Sequence, residues 1–360
     1  MASHSVSAME SDERLAEVSK FRDIFRQPEI GALLGAAGVF VLFTAINSDM
    51  FPSVAGIARI LDPASTIGIM AVSVALLLIG GEFNLSIGVL TGTSGLIMGL
   101  LAVKLGWSVW PAMLISLIFA IGIGYLNGWL VIRTRLPSFI ITLATSFGLR
   151  GANVGVTRLV TNQVRVAGID AAPGFYVARS VFNTELMLFG VEFRTTIIWW
   201  IAITALGSWI LLRTRYGNWI FGVGGDREAA RMVGVPVRGV RIVLFVQTSV
   251  FAWLVGTMTA LRLRSAVASQ GIGQEFVYLI SAVIGGCLLD GGYGSAIGAS
   301  IGALIFGMVR VGIVFSGWDT DWFYSFLGIM LLGAVVVNDF TRRRASEVSV
   351  AAAEARTEGE

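Results

Sequence analysis

Histidine occurs once in this 360-residue sequence, as His4 in a polar lead-in, and cysteine once, as Cys287. One of each excludes a His/Cys metal site and an internal disulfide. It also removes histidine as a general base or as the activator of a nucleophile. Lysine is confined to Lys20 and Lys104, neither follows a glycine loop, and no G-x-x-x-x-G-K-[ST] run exists. The chain therefore has no P-loop with which to hydrolyse a nucleotide. Charge is scarce as well. Asp, Glu, Lys and Arg make up 14% of the residues, where a soluble domain carries roughly 25%.

What fills the space is apolar: 55% hydrophobic residues and 44 glycines, with the charges gathered at the ends of long apolar runs. About 20 apolar residues in a helix cross the ~30 Å hydrocarbon core of a bilayer. We read spans near 30–46, 64–81, 85–103, 109–132, 138–156, 196–212, 242–261, 276–289, 294–315 and 322–338. Arg150 and Asn153 make the fifth the least regular. The fold class is an all-α polytopic membrane protein with about ten transmembrane helices. Residues 1–29 form an N-terminal segment, 30–338 the membrane domain and 339–360 a tail rich in Ala, Glu and Ser. The first 29 residues lack an apolar core of the signal-peptide kind, so the first span is expected to serve as the insertion signal. Within 12–26, Leu15, Val18, Phe21, Ile24 and Phe25 fall at helical spacing among Lys20, Arg22 and Arg26. That suits a helix lying on the membrane surface, or a plain lead-in.

The net charge of +3 does not point to nucleic acid, because the arginines flank spans, which is how a membrane protein sets its orientation. With the N-terminus inside, sixteen Arg and Lys residues fall on the cytoplasmic side and eight on the other, with Arg150 and Arg310 inside spans. Both termini are therefore expected in the cytoplasm. Gly92-Thr93-Ser94-Gly95 spells the G-x-S-G of intramembrane serine proteases, yet Ser94 has no buried histidine to activate it, and we read the match as a product of glycine content. The pairs Gly88/Gly92, Gly95/Gly99 and Gly298/Gly302, each four apart, predict close helix packing.

Ionisable residues at membrane depth face a cavity or a partner, since lipid exposure costs about 2.5–3.5 kcal/mol or more. Glu82 and Asn84 interrupt the apolar stretch between the second and third spans, and Asp290 does so between the eighth and ninth. They are candidates to line a substrate path, or, for Glu82 and Asp290, members of solvated turns. Asn127, Arg150, Asn153 and Gln247 are further lining candidates. The two interruptions share a Gly-Gly pair, a polar break and a glycine-rich helix, as a distant internal repeat or a bias toward glycine would produce.

The basic segment from Arg213 to Arg241 contains Gly217, Gly224, Gly225, Asp226, Ala229, Ala230, Arg231, Gly234 and Pro236. Asp226 can cap a short helix that Gly234 and Pro236 stop. Such a helix, with small residues on one side, is either a knob for a partner's groove or an ordinary structured loop.

The run G-N-x-x-x-x-G-G-D-x-x-A-A-R-x-x-G-V from Gly217 resembles the coupling-helix loop of permeases in the ribose/xylose/galactose class of ATP-binding-cassette (ABC) importers. Gly80-Gly81-Glu82-Phe83-Asn84-Leu85-Ser86-Ile87-Gly88 is similar to that family's G-G-x-F-D-L-S-V-G. Asn127-Gly128, followed by Pro137-Ser138-Phe139 and Thr142-Leu143, resembles its N-G-x(8)-P-x-F-I-x-T-L. Gly285 to Gly298 resembles its G-G-T-S-L-x-G-G-x-G-S-x-x-G. Asn84 replaces the usual Asp, and Cys287-Leu288 the usual Thr-Ser. The resemblance covers residues 60–340 and implies a type II-like importer fold in the bacterial inner membrane. It implies a second permease subunit, identical or not, and ATPase subunits docked on residues 217–234 with Ala229 and Ala230 toward them. A periplasmic sugar-binding protein would deliver cargo. This chain would bind no cofactor, ATP and Mg²⁺ sitting on the ATPases. A monosaccharide is the implied cargo; a branched-chain amino acid or nucleoside, or an ion-coupled carrier, is the alternative.

The orientation is testable with single cysteines. Those near Ala171 should react with an impermeant thiol reagent outside intact cells, and those near Asp226 only after the cells are opened. The reverse pattern overturns the arginine-based topology.

Overall fold

Apolar chain in a bilayer must satisfy its backbone within itself, and helices do so segment by segment. The computed structural model describes residues 28–333 and Val336. Its long helices are α1 (Pro28–Ile46), α2 (Val54–Ile79), α3 (Ile87–Lys104), α4 (Val109–Thr134) and α5 (Ser138–Thr161). The short helix α6 (Phe175–Phe182) then precedes α7 (Thr196–Arg213), α8 (Arg215–Gly225), α9 (Arg227–Met232) and α10 (Val237–Leu263). The last are α11 (Gln274–Ile284), α12 (Ala296–Phe315) and the short apolar helix α13 (Trp322–Gly333). Among the described residues, eight helices are long and apolar enough to cross a membrane: α1–α5, α7, α10 and α12. With α11 and α13 they make up the ten apolar segments expected. The surface helix considered at 12–26 and the tail at 339–360 lie outside the described residues.

Two boundaries differ instructively. The second span begins at Val54 rather than 64. Ser53 caps it by accepting from Gly56 N, and the helix passes through Pro63. Asp62, inside the added turns, pairs with Arg262 at 2.7 Å and Arg194 at 3.3 Å. The eighth segment is shorter than 276–289. Helix α11 has 11 residues, about 16 Å at 1.5 Å per residue, half of a bilayer core. The rest of the distance is covered by strand β4 (Ser265–Val267) and turns through Gly273. This non-helical stretch lies along α3, where side chains at Gly88 and Gly92 would overlap Gly271 and Gln270. Irregular backbone at this depth is tolerated because protein covers it.

Helix α2 is the centre. Every residue from Ile67 to Gly80 is buried, enclosed by α7, α10, α11 and α12, as a helix apolar all round must be. Helix α10 packs on α3 and α4, while α1 lies outside on α12, with the Phe43 ring over Gly312. Antiparallel pairing of β1 (Arg165–Ala167) with β4, and the hairpin β2 (Glu185–Leu188) with β3 (Val191–Arg194), cover the end opposite the basic segment.

The two Gly-Gly breaks are geometrically alike. Gly80 N bonds to Leu76 O, Gly81 N to Leu78 O and Glu82 N to Leu77 O. Gly285 N, Gly286 N and Cys287 N make the same three bonds to Ser281, Val283 and Ala282. Gly81 and Gly286 supply the left-handed residue at φ 74° and 91° that such a helix end requires. Beyond the second break, Gly298 and Gly302 of α12 seat on the carbonyls of Gly285 and Ser281.

A side chain at Gly302 has no room. Gly302→Val should cost about 1–3 kcal/mol by overpacking and lower the melting temperature in detergent, while Gly155→Ala, which meets nothing within 4 Å, should not. A Gly302→Val chain as stable as wild type would mean that α11 and α12 do not meet backbone to backbone.

Candidate functional site

Between α2 and α3 the chain is irregular from Glu82 to Asn84 and turns at Leu85 and Ser86, leaving backbone donors that no helix satisfies. Two side chains of α5 take them. Phe83 N donates to Ser138 Oγ (2.9 Å) and Leu85 N to Thr142 Oγ1 (3.0 Å). The two motifs thus complete each other, one opening its backbone and the other closing it.

Deeper lies a ring of buried polar side chains drawn from the break, α4, α5 and α10. Asn84 Nδ2 donates to Thr248 Oγ1 (3.1 Å), while its Oδ1 accepts from Ser86 N (3.1 Å) and Ser86 Oγ (2.7 Å). Asn127 Nδ2 donates to Ser86 Oγ (3.0 Å), and its Oδ1 accepts from Thr145 Oγ1 (2.7 Å). Asn84 is 4% exposed and Asn127 wholly buried, so both are knotted into the protein. Their amides bond to neighbours, which corrects the expectation that they line an open path. An amide at position 84 builds the ring without burying a charge.

Glu82 is neither a path residue nor a solvated turn. It is 1% exposed, and its Oε1 accepts from Arg227 Nη2 (2.9 Å) and from Arg241 Nε (2.5 Å). A buried carboxylate needs such partners. Arg227 Nη2 also donates to Gly81 O (2.7 Å). Beside this cluster a cleft of about 530 Å³ opens between Glu82, Arg135, Pro137, Ser138, Arg227 and Arg241.

The basic segment folds much as its residues predict, with α8 added. Asp226 caps α9, accepting from Glu228 N (2.9 Å) and Ala229 N (3.1 Å). Gly234 ends the turn at φ 86°. Gly217 lies against the carbonyls of Ile210 and Leu211, Gly224 against that of Ile79, and Gly225 under Gly292. Ala229 and Arg231 are exposed, but Ala230 is 5% exposed and faces its own chain. The expectation that Ala230 meets a partner is therefore corrected. The outward apolar residues are Met232 and Val233, 81% and 80% exposed.

The remaining candidates scatter. Arg150 is exposed midway along α5, and Asn153 is buried one turn on with no partner for Nδ2. Gln247 lines an apolar recess with Leu76, Ile210 and Phe251, away from the polar ring. Asp290 is exposed in the link before α12. Ser94 is buried and donates to Leu90 O, so the protease-like spelling carries no chemistry. Cys287 is fully buried. Sequence reasoning missed Ser86, Thr145, Thr248, Arg227 and Arg241. The need of a buried Glu82 for cations was the available signal for the two arginines. It missed Glu275 too, a 9%-exposed carboxylate at the start of α11 whose Oε2 has no partner.

A family model described as branched-chain amino acid transport system / permease component matches residues 56–335. The chain belongs to that permease family. Among curated relatives, the permease is similar to the xylose transport system permease protein XylH of Escherichia coli K12, 26% identical over 85% of this chain and 90% of that one. It is 28% identical to the fructose import permease protein FrcC of Rhizobium meliloti, over 85% and 84% of the two chains. The ribose import permease protein RbsC of Escherichia coli K12 is 29% identical over 88% and 94%. The permease is thus an all-α, multi-pass membrane transport protein.

Asn127→Leu should remove the bonds to Ser86 Oγ and Thr145 Oγ1, which keep Asn84 Oδ1 and Ile141 O as their other partners. At about 0.5–1.5 kcal/mol for each hydrogen bond lost, thermal stability in detergent should fall by a few degrees. An unchanged melting temperature would mean that the ring is hydrated rather than closed.

Proposed function

We propose that this permease is the membrane-spanning subunit of an ABC importer for a monosaccharide, powered by separate ATPase subunits that hold ATP and Mg²⁺. The observation that carries the reading is α9: a capped helix on the arginine-rich side, with Met232 and Val233 bare at its end. Apolar side chains this exposed on a rigid turn suit a partner's groove. The chain has no nucleotide loop of its own, so the motor is supplied in trans. The side carrying α9 is the cytoplasmic one, in a bacterial inner membrane, with both termini on it.

A second permease subunit is supported by α5. Gly148, Gly151 and Gly155 leave open space on its outer face, and Arg150 is exposed on another side of the same helix. A charge at that depth calls for a water-filled path or a protein neighbour, and small residues let a second helix close in. Cargo would pass between the two subunits after delivery by a periplasmic binding protein. Relatives named for xylose, fructose and ribose favour a sugar. The family description favours a branched-chain amino acid as the second reading. Uptake of labelled pentoses and hexoses against leucine, with the cognate binding protein, separates the two.

Met232→Glu and Val233→Glu place a carboxylate in the docking contact without touching the membrane core. An unpaired charge buried at an interface costs several kcal/mol, and each ~1.4 kcal/mol is tenfold in affinity. Recovery of the ATPase on the purified permease should fall at least tenfold, with permease yield unchanged. Equal recovery of the ATPase overturns the docking role of α9. Concentrative uptake by the permease alone in liposomes, driven by an ion gradient, overturns the importer reading.

A further inference from the structure

Helix α9 is joined to the membrane domain by more than the chain on either side of it. Arg227, its first residue, reaches back to Gly81 O and to Glu82 Oε1, at 2.7 Å and 2.9 Å. Arg241, in the second turn of α10, donates to the same Glu82 oxygen. One buried carboxylate thus pins the outer helix, the foot of α10 and the end of α2 at a single point. Around it the contact is backbone on backbone. Gly224 has no space for a side chain against Ile79 O, Gly291 none against Gly81 and Gly224, and Gly292 N donates to Ile79 O at 2.8 Å. The link after the second Gly-Gly break therefore meets the first break at the end of α8, where α9 begins. Two residues past Glu82, Asn84 begins the buried ring that reaches α4, α5 and α10.

We propose that Glu82, held by Arg227 and Arg241, is the positioning residue through which movement of α9 is delivered to the break between α2 and α3, and from there to the polar ring at the foot of the membrane domain. Rigid transmission needs a joint that neither slides nor stretches. A charge-assisted pair set among close-packed backbone meets that need, because its hydrogen bonds are short and directional and the packing around it does not deform continuously. The pair is also asymmetric in a useful way. Glu82 is 1% exposed and Arg227 44% exposed on its side chain, so the fixed half belongs to the membrane domain and the accessible half to the moving helix. Glu82 is thereby a coupling residue and touches no cargo. The inference rests on the importer reading above, since it needs an ATPase to move α9.

The test uses the complete importer, assembled from permease, cognate ATPase and binding protein in liposomes, with Glu82→Gln, Arg227→Gln and the double variant. Each single variant should insert and recover the ATPase as wild type does, and should hydrolyse ATP within about twofold of it. Cargo moved per ATP should drop at least tenfold, and the double variant should be no worse than either single one, because all three break one joint. Glu82→Asp should retain most of the transport. Transport at the wild-type ratio in Arg227→Gln overturns the proposal, and so does loss of ATPase recovery, which would make Arg227 a docking residue. Should Glu82→Gln fail to fold, Arg227→Gln decides alone, since its side chain is exposed and its removal leaves Arg241 on the carboxylate. Failure of the wild-type permease to recover any ATPase would instead sink the importer reading itself.

Discussion

Backbone donors and acceptors at membrane depth have no water to bond, so a helix that stops there must be answered by another part of the protein. The break after α2 is answered by Ser138 and Thr142 of α5, which accept from Phe83 N and Leu85 N. The break after α11 is answered by Leu288 N donating to Tyr293 O and Gly292 N donating to Ile79 O, while Gly298 and Gly302 of α12 let that helix close on the backbone of Gly285 and Ser281. Much else in the molecule follows from these two repairs. They place polar side chains where four elements meet, and they bring glycine backbones close enough to form a joint under α9.

The same constraint explains where the glycines are. Along α3 the sequence Gly88, Gly92, Gly95, Gly99 faces Gly271, Gln270, Ala260 and Ile169 in turn. A non-helical stretch can descend through the membrane domain only where a neighbouring helix presents bare backbone for it to lie on. Where α5 carries glycines on its outer face, nothing of this chain meets them. The glycines of α3 thus serve packing within one chain, and those of α5 are free to serve packing between two.

The electrostatics divide along the bilayer. The polar cluster at the break is neutral: Asn84, Ser86, Asn127, Thr145 and Thr248 bond to one another without a formal charge, and the ionisable Glu275 and Arg150 lie apart from it. Charge pairs gather at the two ends, Asp62 with Arg194 and Arg262 at one and Glu82 with Arg227 and Arg241 at the other. A neutral ring avoids the desolvation penalty of buried ions, while end pairs draw on partial hydration.

Residue chemistry by itself determined the class, the number of apolar helices, and the cap at Asp226 with its stop at Gly234, because hydropathy and capping are local properties that a few neighbouring residues settle. It also determined the absence of a nucleotide loop in this chain. Long-range contacts decided the rest. Hydropathy starts the second span near residue 64, whereas in the fold Asp62 and Pro63 lie within α2, the carboxylate held by Arg194 and Arg262 from more than a hundred residues away. Ala230 and Ala229 are chemically alike, and only the fold turns one inward and leaves the other in solvent. Glu82 has the composition of a path residue or a solvated turn and is neither. A carboxylate's role depends on which cations reach it in space, and the arginines that do so lie 145 and 159 positions further along the chain.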